Sequence, residues 1–266
     1  MLEARNPSST VPLADANSGM LTVSNGGGVN WPRTLRFAQQ ACQDGVTHAV
    51  VSSDRSDLET LLQRMPHLKG LLQQHELPIH VTPMVELTLQ ADLFEQVIYL
   101  SLLVGGVHRR YVFLRNQSAV QMPIVPVVQT LKQMHLTTVL LAPERQAHFR
   151  EDDRELKQII AGGGLIQLSA ASLLDQTDTA RVQWCRRVIR SGLCHFVASE
   201  SGRHHDLPIS LQQAYQTIRR WTNQSVADRL CRQNSMQMFA GDAISVAPPK
   251  QDGLLAKFQS QFHRAA

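Results

Sequence analysis

Seven short aliphatic runs, separated by stretches of helical period, constrain the fold of this chain more than any other feature. The runs are Met20–Val23, His48–Ser52, Ile79–Val85, Tyr111–Leu114, Thr138–Leu141, Leu165–Leu168 and His195–Ala198. Between them lie amphipathic stretches at Thr34–Gln43, Leu58–Gln74, Val125–Met134, Arg154–Ala161 and Ala180–Arg190. Strands alternating with helices predict a parallel sheet joined by helical crossovers. Gly45, Gly162 and Gly192 stand just past helix ends, where a glycine closes the last turn. Of the 266 residues 43% are apolar but only 5% aromatic, so the core must be mainly aliphatic, as buried parallel strands are. Seven such units in a chain of this length favour one barrel-like α/β domain over two domains.

The ends of the chain read differently. Residues 1–18 carry Ser, Pro and Asn without apolar periodicity and are expected to form a flexible arm, with the barrel domain over residues 19–245. Residues 246–266 hold an extended linker, Val246-Ala-Pro-Pro-Lys250, and then Leu254, Leu255, Phe258 and Phe262 at helical spacing. Such an amphipathic helix docks on its own domain, a partner groove or an anionic membrane surface.

Charge and thiols narrow the classes further. The formal charge is +4, yet the basic residues are dispersed and free of interleaved aromatics, which argues against a nucleic-acid face. The apolar stretch from Val97 to Val107 is shorter than the roughly 20 residues that cross a bilayer, and reads as a buried helix. Cys42, Cys185, Cys194 and Cys231 show neither C-x-x-C nor C-x5-R spacing. They are expected to be reduced, mostly buried thiols of a cytoplasmic protein whose start shows no secretory leader.

In folds of this kind the chemistry sits at the carboxyl ends of the strands. Read in order, those ends carry Gly45-Val-Thr-His-Ala-Val-Val-Ser-Ser-Asp54, Thr82-Pro-Met-Val-Glu86, Leu140-Leu-Ala-Pro-Glu-Arg145, Gln167-Leu-Ser-Ala-Ala-Ser-Leu-Leu174 and His195-Phe-Val-Ala-Ser-Glu200. A Leu-x-x-Ala-Tyr follows at Leu211–Tyr215. The ordered set, from about Met20 to Asp242, resembles the PHP-superfamily protein tyrosine phosphatases of bacterial capsule and exopolysaccharide biosynthesis. The resemblance implies a single-domain α/β fold, a distorted TIM-like (β/α)7 barrel of the PHP type. It also implies manganese-dependent hydrolysis of phosphotyrosine beside a bacterial tyrosine kinase.

The same resemblance marks where this chain departs. The family's ligands come from an H-x-H, the His of T-P-H, the Glu of P-G-x-E, a further Glu, the His of H-P-E-R, and D-x-H. Here the H-x-H position is assigned to Leu21-Thr22-Val23, and Asp54 stands for the T-P-H histidine. Glu86 is kept, Arg115 replaces the next glutamate, Ala142 replaces the H-P-E-R histidine, and D-x-H reads Glu200-Ser201-Gly202. No imidazole is left at a ligand position, whereas the resemblance implies a site that combines imidazole with carboxylate.

Several residues are therefore singled out. Asp54, Glu86, Arg115, Arg145 and Glu200 form a vestigial site with no assigned catalyst. Arg115 is expected to turn inward and fork onto two of the carboxylates, supplying the positive charge that metal ions would bring. Arg145 and Arg203 are candidates for holding a phosphate. His204, His205 and Asp206 read more simply as an exposed polar loop than as a metal constellation, and His195 and His48 as structural residues at strand starts. Cys185, beside Trp184 in mid-helix, reads as a packed thiol. The Asn25-Gly-Gly-Gly-Val29 loop lacks the residues of a phosphate cradle.

The functional expectation is a degenerate, non-catalytic homologue that needs no cofactor. It would act as a binding or regulatory module in capsular or exopolysaccharide biosynthesis, with a tyrosine kinase or its tyrosine-rich tail as partner. The alternative is an active Mn²⁺-dependent protein tyrosine phosphatase with a rearranged site of Asp54, Glu86, Glu200 and His204.

Overall fold

The structure, a computed structural model, describes residues 11–21, 28–54, 58–103, 110–116, 123–201 and 209–245. Seven parallel strands form one sheet in chain order. They are β1 (Leu13–Asp15), β2 (Val46–Asp54), β3 (His80–Thr88), β4 (Tyr111–Arg115), β5 (Thr137–Leu141), β6 (Leu165–Ser169) and β7 (Phe196–Ala198). Beyond the last ladder, the amides of Glu200 and Ser201 donate to the carbonyls of Asn17 and Ser18 at 2.8 and 3.0 Å, drawing the end of β7 against the end of β1. The result is a nearly closed barrel, a single α/β domain of the TIM-like kind.

Each strand buries both faces, which is why the runs are aliphatic rather than alternating. Val50, Met84, Phe113, Val139, Leu141, Leu165 and Phe196 fill the barrel interior. A second core lies between the strands and the outer helices. Those helices include α1 (Trp31–Gln43), α2 (Leu58–Gln74), α3 (Leu93–Leu103), α4 (Ile124–Gln133), α5 (Ala147–Glu151), α6 (Arg154–Ala161), α7 (Ala170–Leu174) and α8 (Thr179–Arg190). After β7 come α9 (Leu211–Trp221), α10 (Gln224–Asp228), a π-helical turn over Arg229–Gln233, and α11 (Asn234–Ala240). The π-helical turn packs against β1 and β7 where the ladder is open. Asp44, at the end of α1, accepts from Ser210 Oγ at 2.9 Å and the Gln212 amide at 3.2 Å, tying α1 to the start of α9.

Two expectations need correction. The first strand is Leu13–Asp15 rather than Met20–Val23, so residues 13–18 are buried parts of the barrel and not of a loose arm. A three-residue strand carries too little pattern to stand out, and the apolar run beginning at Met20 outcompetes it by eye. The stretch from Val97 is helical as expected over residues 97–103, where it ends α3, but it is only partly buried, since Val97 is covered while Ile98 and Tyr99 are about half exposed. Residues 104–107 lie outside the described residues.

The four thiols are free, with Cys185, Cys194 and Cys231 buried. Among the described residues no helix is long and apolar enough to cross a membrane. The amphipathic segment within 246–266, Arg203, His204, His205, Asp206 and most of the glycine loop lie outside the described residues.

Candidate functional site

The carboxyl ends of the strands carry polar side chains into the mouth of the barrel, above the apolar filling. In β3 the inward alternation that buries Met84 brings Glu86 to the mouth two residues later, 3% exposed. Arg115 ends β4, reaching Glu86 through Nε (2.9 Å to Oε2) and Glu200 through Nη2 (2.7 Å to Oε1). Glu200 follows β7 and is wholly buried. Its second oxygen accepts from Arg145 Nη2 at 2.8 Å, and the same nitrogen reaches Ser169 Oγ at 3.2 Å. The other oxygen of Glu86 accepts from Asn17 Nδ2 at 2.7 Å. Two carboxylates and two guanidiniums thus form one continuous network, every carboxylate oxygen of which receives an N–H donor.

Burial disfavours the charged form of Arg115, but Glu86 and Glu200 outweigh that cost and raise its guanidinium above its ordinary value, leaving it firmly protonated. The expected inward turn of Arg115 is what the geometry shows, with Glu86 and Glu200 as partners. Asp54 lies at the end of β2, paired in register with Glu86. Arg145 sits in a 3-10 turn, Pro143–Arg145, opened by Ala142 in the left-handed region at φ 47°. Glu200 shares that φ, so both ends of the Arg145–Glu200 bridge are carried by unusual backbone at the mouth.

Around this network stand two buried acids that sequence reasoning missed. Asp15, at the end of β1, accepts from Ser199 Oγ at 2.5 Å and from the amides of Ser199 and Asn17 at 3.1 and 3.2 Å. Burial pushes its carboxyl up to about 6 in spite of those bonds. Glu144 accepts from the Ser169 amide at 2.9 Å through Oε1, while its Oε2 is buried with no protein partner. Burial raises Glu144 to about 7, with Glu200 adding to the rise and Arg145 opposing it. Asp15 and Asn17, rather than residues 21–23, are the polar pair that closes the first strand. The Asp-x-Asn spacing straight after Leu13-Ala14 was the signal for them.

The remaining sequence candidates fall elsewhere. His195 precedes β7, buried, its Nδ1 accepting from the Ile166 amide at 3.1 Å. His48 stacks on His80 with ring centroids 4.9 Å apart. Burial pushes the Cys185 thiol far up, and it sits packed in α8.

A manganese-type centre does not fit the described residues. Such a centre would need the four oxygens that Asn17, Arg115 and Arg145 already engage, and would place a divalent ion against two guanidiniums. No group of three His, Cys, Asp or Glu side chains among the described residues is arranged to hold a metal. What the arrangement offers is a rigid, largely charge-balanced floor, with Arg145 a quarter exposed at its rim.

A barrel of seven parallel strands with polar residues gathered at the carboxyl mouth is an α/β barrel, a class of fold whose enzymes carry their chemistry at that end. The chain belongs to the family described as capsular polysaccharide synthesis, CpsB/CapC, whose model matches residues 13–240. Among solved structures it is similar to one reported with the metal-dependent tyrosine phosphatases YwqE from Bacillus subtilis and CpsB from Streptococcus pneumoniae. That match has 16% identity and a TM-score of 0.79, covering 90% of this chain and 99% of the other. A β-aspartyl dipeptidase from Fervidobacterium islandicum matches at 14% identity and a TM-score of 0.51, covering 90% of this chain and 76% of the other. At these identities the likeness is one of fold. No curated protein matches the chain.

Proposed function

We propose that this chain is a non-hydrolysing member of its family, a cytoplasmic binding or regulatory module in capsular or exopolysaccharide biosynthesis. The observation that carries the reading is Arg115, whose guanidinium spans Glu86 and Glu200 where a metal-dependent relative would use cations. Metal-assisted phosphate hydrolysis needs an ion to generate the nucleophile and to neutralise the phosphoryl oxygens. A fixed guanidinium cannot generate that nucleophile, because it offers no vacant coordination position for water. It can still fork onto an anionic group, and Arg145 at the rim of the mouth suits that task. The partner in this reading is a tyrosine kinase or its tyrosine-rich tail, recognised at the mouth without turnover.

Two measurements test it together. Elemental analysis of protein purified without chelators should find manganese, iron and zinc well below one ion per chain. Hydrolysis of an aryl phosphate with added Mn²⁺ should be the same for the wild type and Glu86→Ala. Two tightly held ions per chain, or a clear wild-type rate lost in that variant, would return the chain to the metal-dependent phosphatases.

A further inference from the structure

The face of the barrel opposite the mouth carries a hollow of about 450 Å³ beside the start of β7. Its walls come from the end of α8, the turn between α9 and α10, and the π-helical turn that plugs the open edge of the sheet. We propose that this hollow is a binding site for a small organic anion, a phosphate- or carboxylate-bearing molecule with a ring-shaped body.

Charge is the first argument. Arg190 and Arg229 line the hollow, and no Asp or Glu is among the described residues that do so. Neither arginine makes an ion pair with a carboxylate among the described residues, in contrast to Arg115, Arg145 and Arg181. The larger hollow near the mouth is different, because there Arg181 is bridged to Asp175 and Asp178. Two guanidiniums lining one concavity, with no carboxylate partner among the described residues, form the electrostatic pattern of an anion site.

The lining also includes a buried polar group. His195 lines the hollow at 5% exposure, and its Nδ1 accepts the Ile166 amide hydrogen at 3.1 Å. A ring that accepts at Nδ1 and stays neutral carries its hydrogen on Nε2, its one remaining polar atom. Burial keeps it neutral, lowering it to about 4. Its backbone is pinned as well, since Asn234 Nδ2 donates to the His195 carbonyl at 2.7 Å. The hollow therefore has a pinned, neutral histidine in its lining together with two cations, while Trp221 adds a flat apolar surface of the kind that packs on sugar or aromatic rings. Arg229 also opens the π-helical turn, a rare geometry that recurs at functional sites and here sets the wall of the hollow.

Trp221 gives the experiment its readout. Intrinsic tryptophan emission of the full chain would be followed on titration with glucose 1-phosphate, with glucose and inorganic phosphate as comparison titrations. A saturable change with glucose 1-phosphate is expected, absent with glucose and abolished in Trp221→Phe, whose binding is then followed by calorimetry. Arg229→Ala, at an exposed position, should weaken binding by about tenfold or more, as expected for loss of a charge-assisted contact. Arg145→Ala at the mouth should leave it unchanged. The proposal is overturned by the absence of any saturable response up to about 10 mM, a ceiling weaker than useful small-ligand affinities. It is equally overturned by binding that survives Arg229→Ala and is lost in Arg145→Ala, which would move the anion to the mouth.

Discussion

Glu86 and Glu200 hold two carboxylates beneath the barrel mouth with almost no contact with water, and Arg115 reaches both. A buried ion pair contributes little net stability when compared with an apolar replacement, but removing one partner strands the other. Arg115→Ala should therefore destabilise the fold by about 3–5 kcal/mol, toward the lower figure because Asn17 and Arg145 still donate to the two acids. Urea unfolding of both proteins measures this, and a change below about 0.5 kcal/mol, typical of surface sites, would contradict it. Arg145→Ala should cost less, since Arg145 is more exposed and Arg115 remains on Glu200. Arg115 was legible in the sequence because an arginine among strand-end acids has few inward roles other than pairing. Asp15 and Asn17 were not, because their importance comes from β7 and β3 residues, Ser199 and Glu86, that are distant in sequence.

Among elements, the helices were the most legible parts of the chain. The bounds read for α2 and α6 coincide with the structure, because long amphipathic periods leave little room for error. The strands from β2 onward were found as aliphatic runs, whereas β1 was displaced because three residues cannot show a period. The tether between α1 and α9 was not legible, since one acid makes it with residues far along the chain. Asp44 accepts from Gln40 in α1 and from Ser210 and Gln212 at the start of α9, so it serves both helices at once. Asp44→Ala should leave the Gln212 amide and the Ser210 hydroxyl without that acceptor. A loss of about 2 kcal/mol is expected, above the ~1 kcal/mol of an ordinary cap, because the carboxylate is buried and links two elements. Asp44→Asn, which keeps one acceptor, should recover part of it in thermal unfolding. Equal losses in the two variants would show that the tether does not act through these hydrogen bonds.

At the scale of the whole molecule, buried titratable groups make stability depend on pH in opposing senses. Asp15 and Glu144 are raised to about 6 and about 7 by burial, so the folded state holds their protons more tightly than the unfolded chain does. Their contribution is complete below the unfolded values and is lost as pH rises through the folded ones. His195 acts the other way. Lowered to about 4, it must give up a proton on folding between that pH and the ordinary histidine value, so its contribution improves as pH rises across the window. Around pH 5 to 6 His195 offsets one of the two acids, and above the histidine value Glu144, of these three groups, continues to lose its proton in the fold. Glu144→Gln isolates that term. Near pH 5 the wild-type side chain is already a neutral carboxylic acid, close in shape to the amide, and the two proteins should differ little. At pH 8 the wild type must bury a carboxylate whose Oε2 has no protein partner, at a cost on the order of 3 kcal/mol for a rise of this size. The variant should therefore gain about 2–3 kcal/mol on the wild type between the two pH values in denaturant unfolding. The same difference at both pH values would mean that Glu144 does not titrate in this range. A variant that loses ground at pH 8 would mean that the wild-type Glu144 carboxylate is stabilised there by a partner.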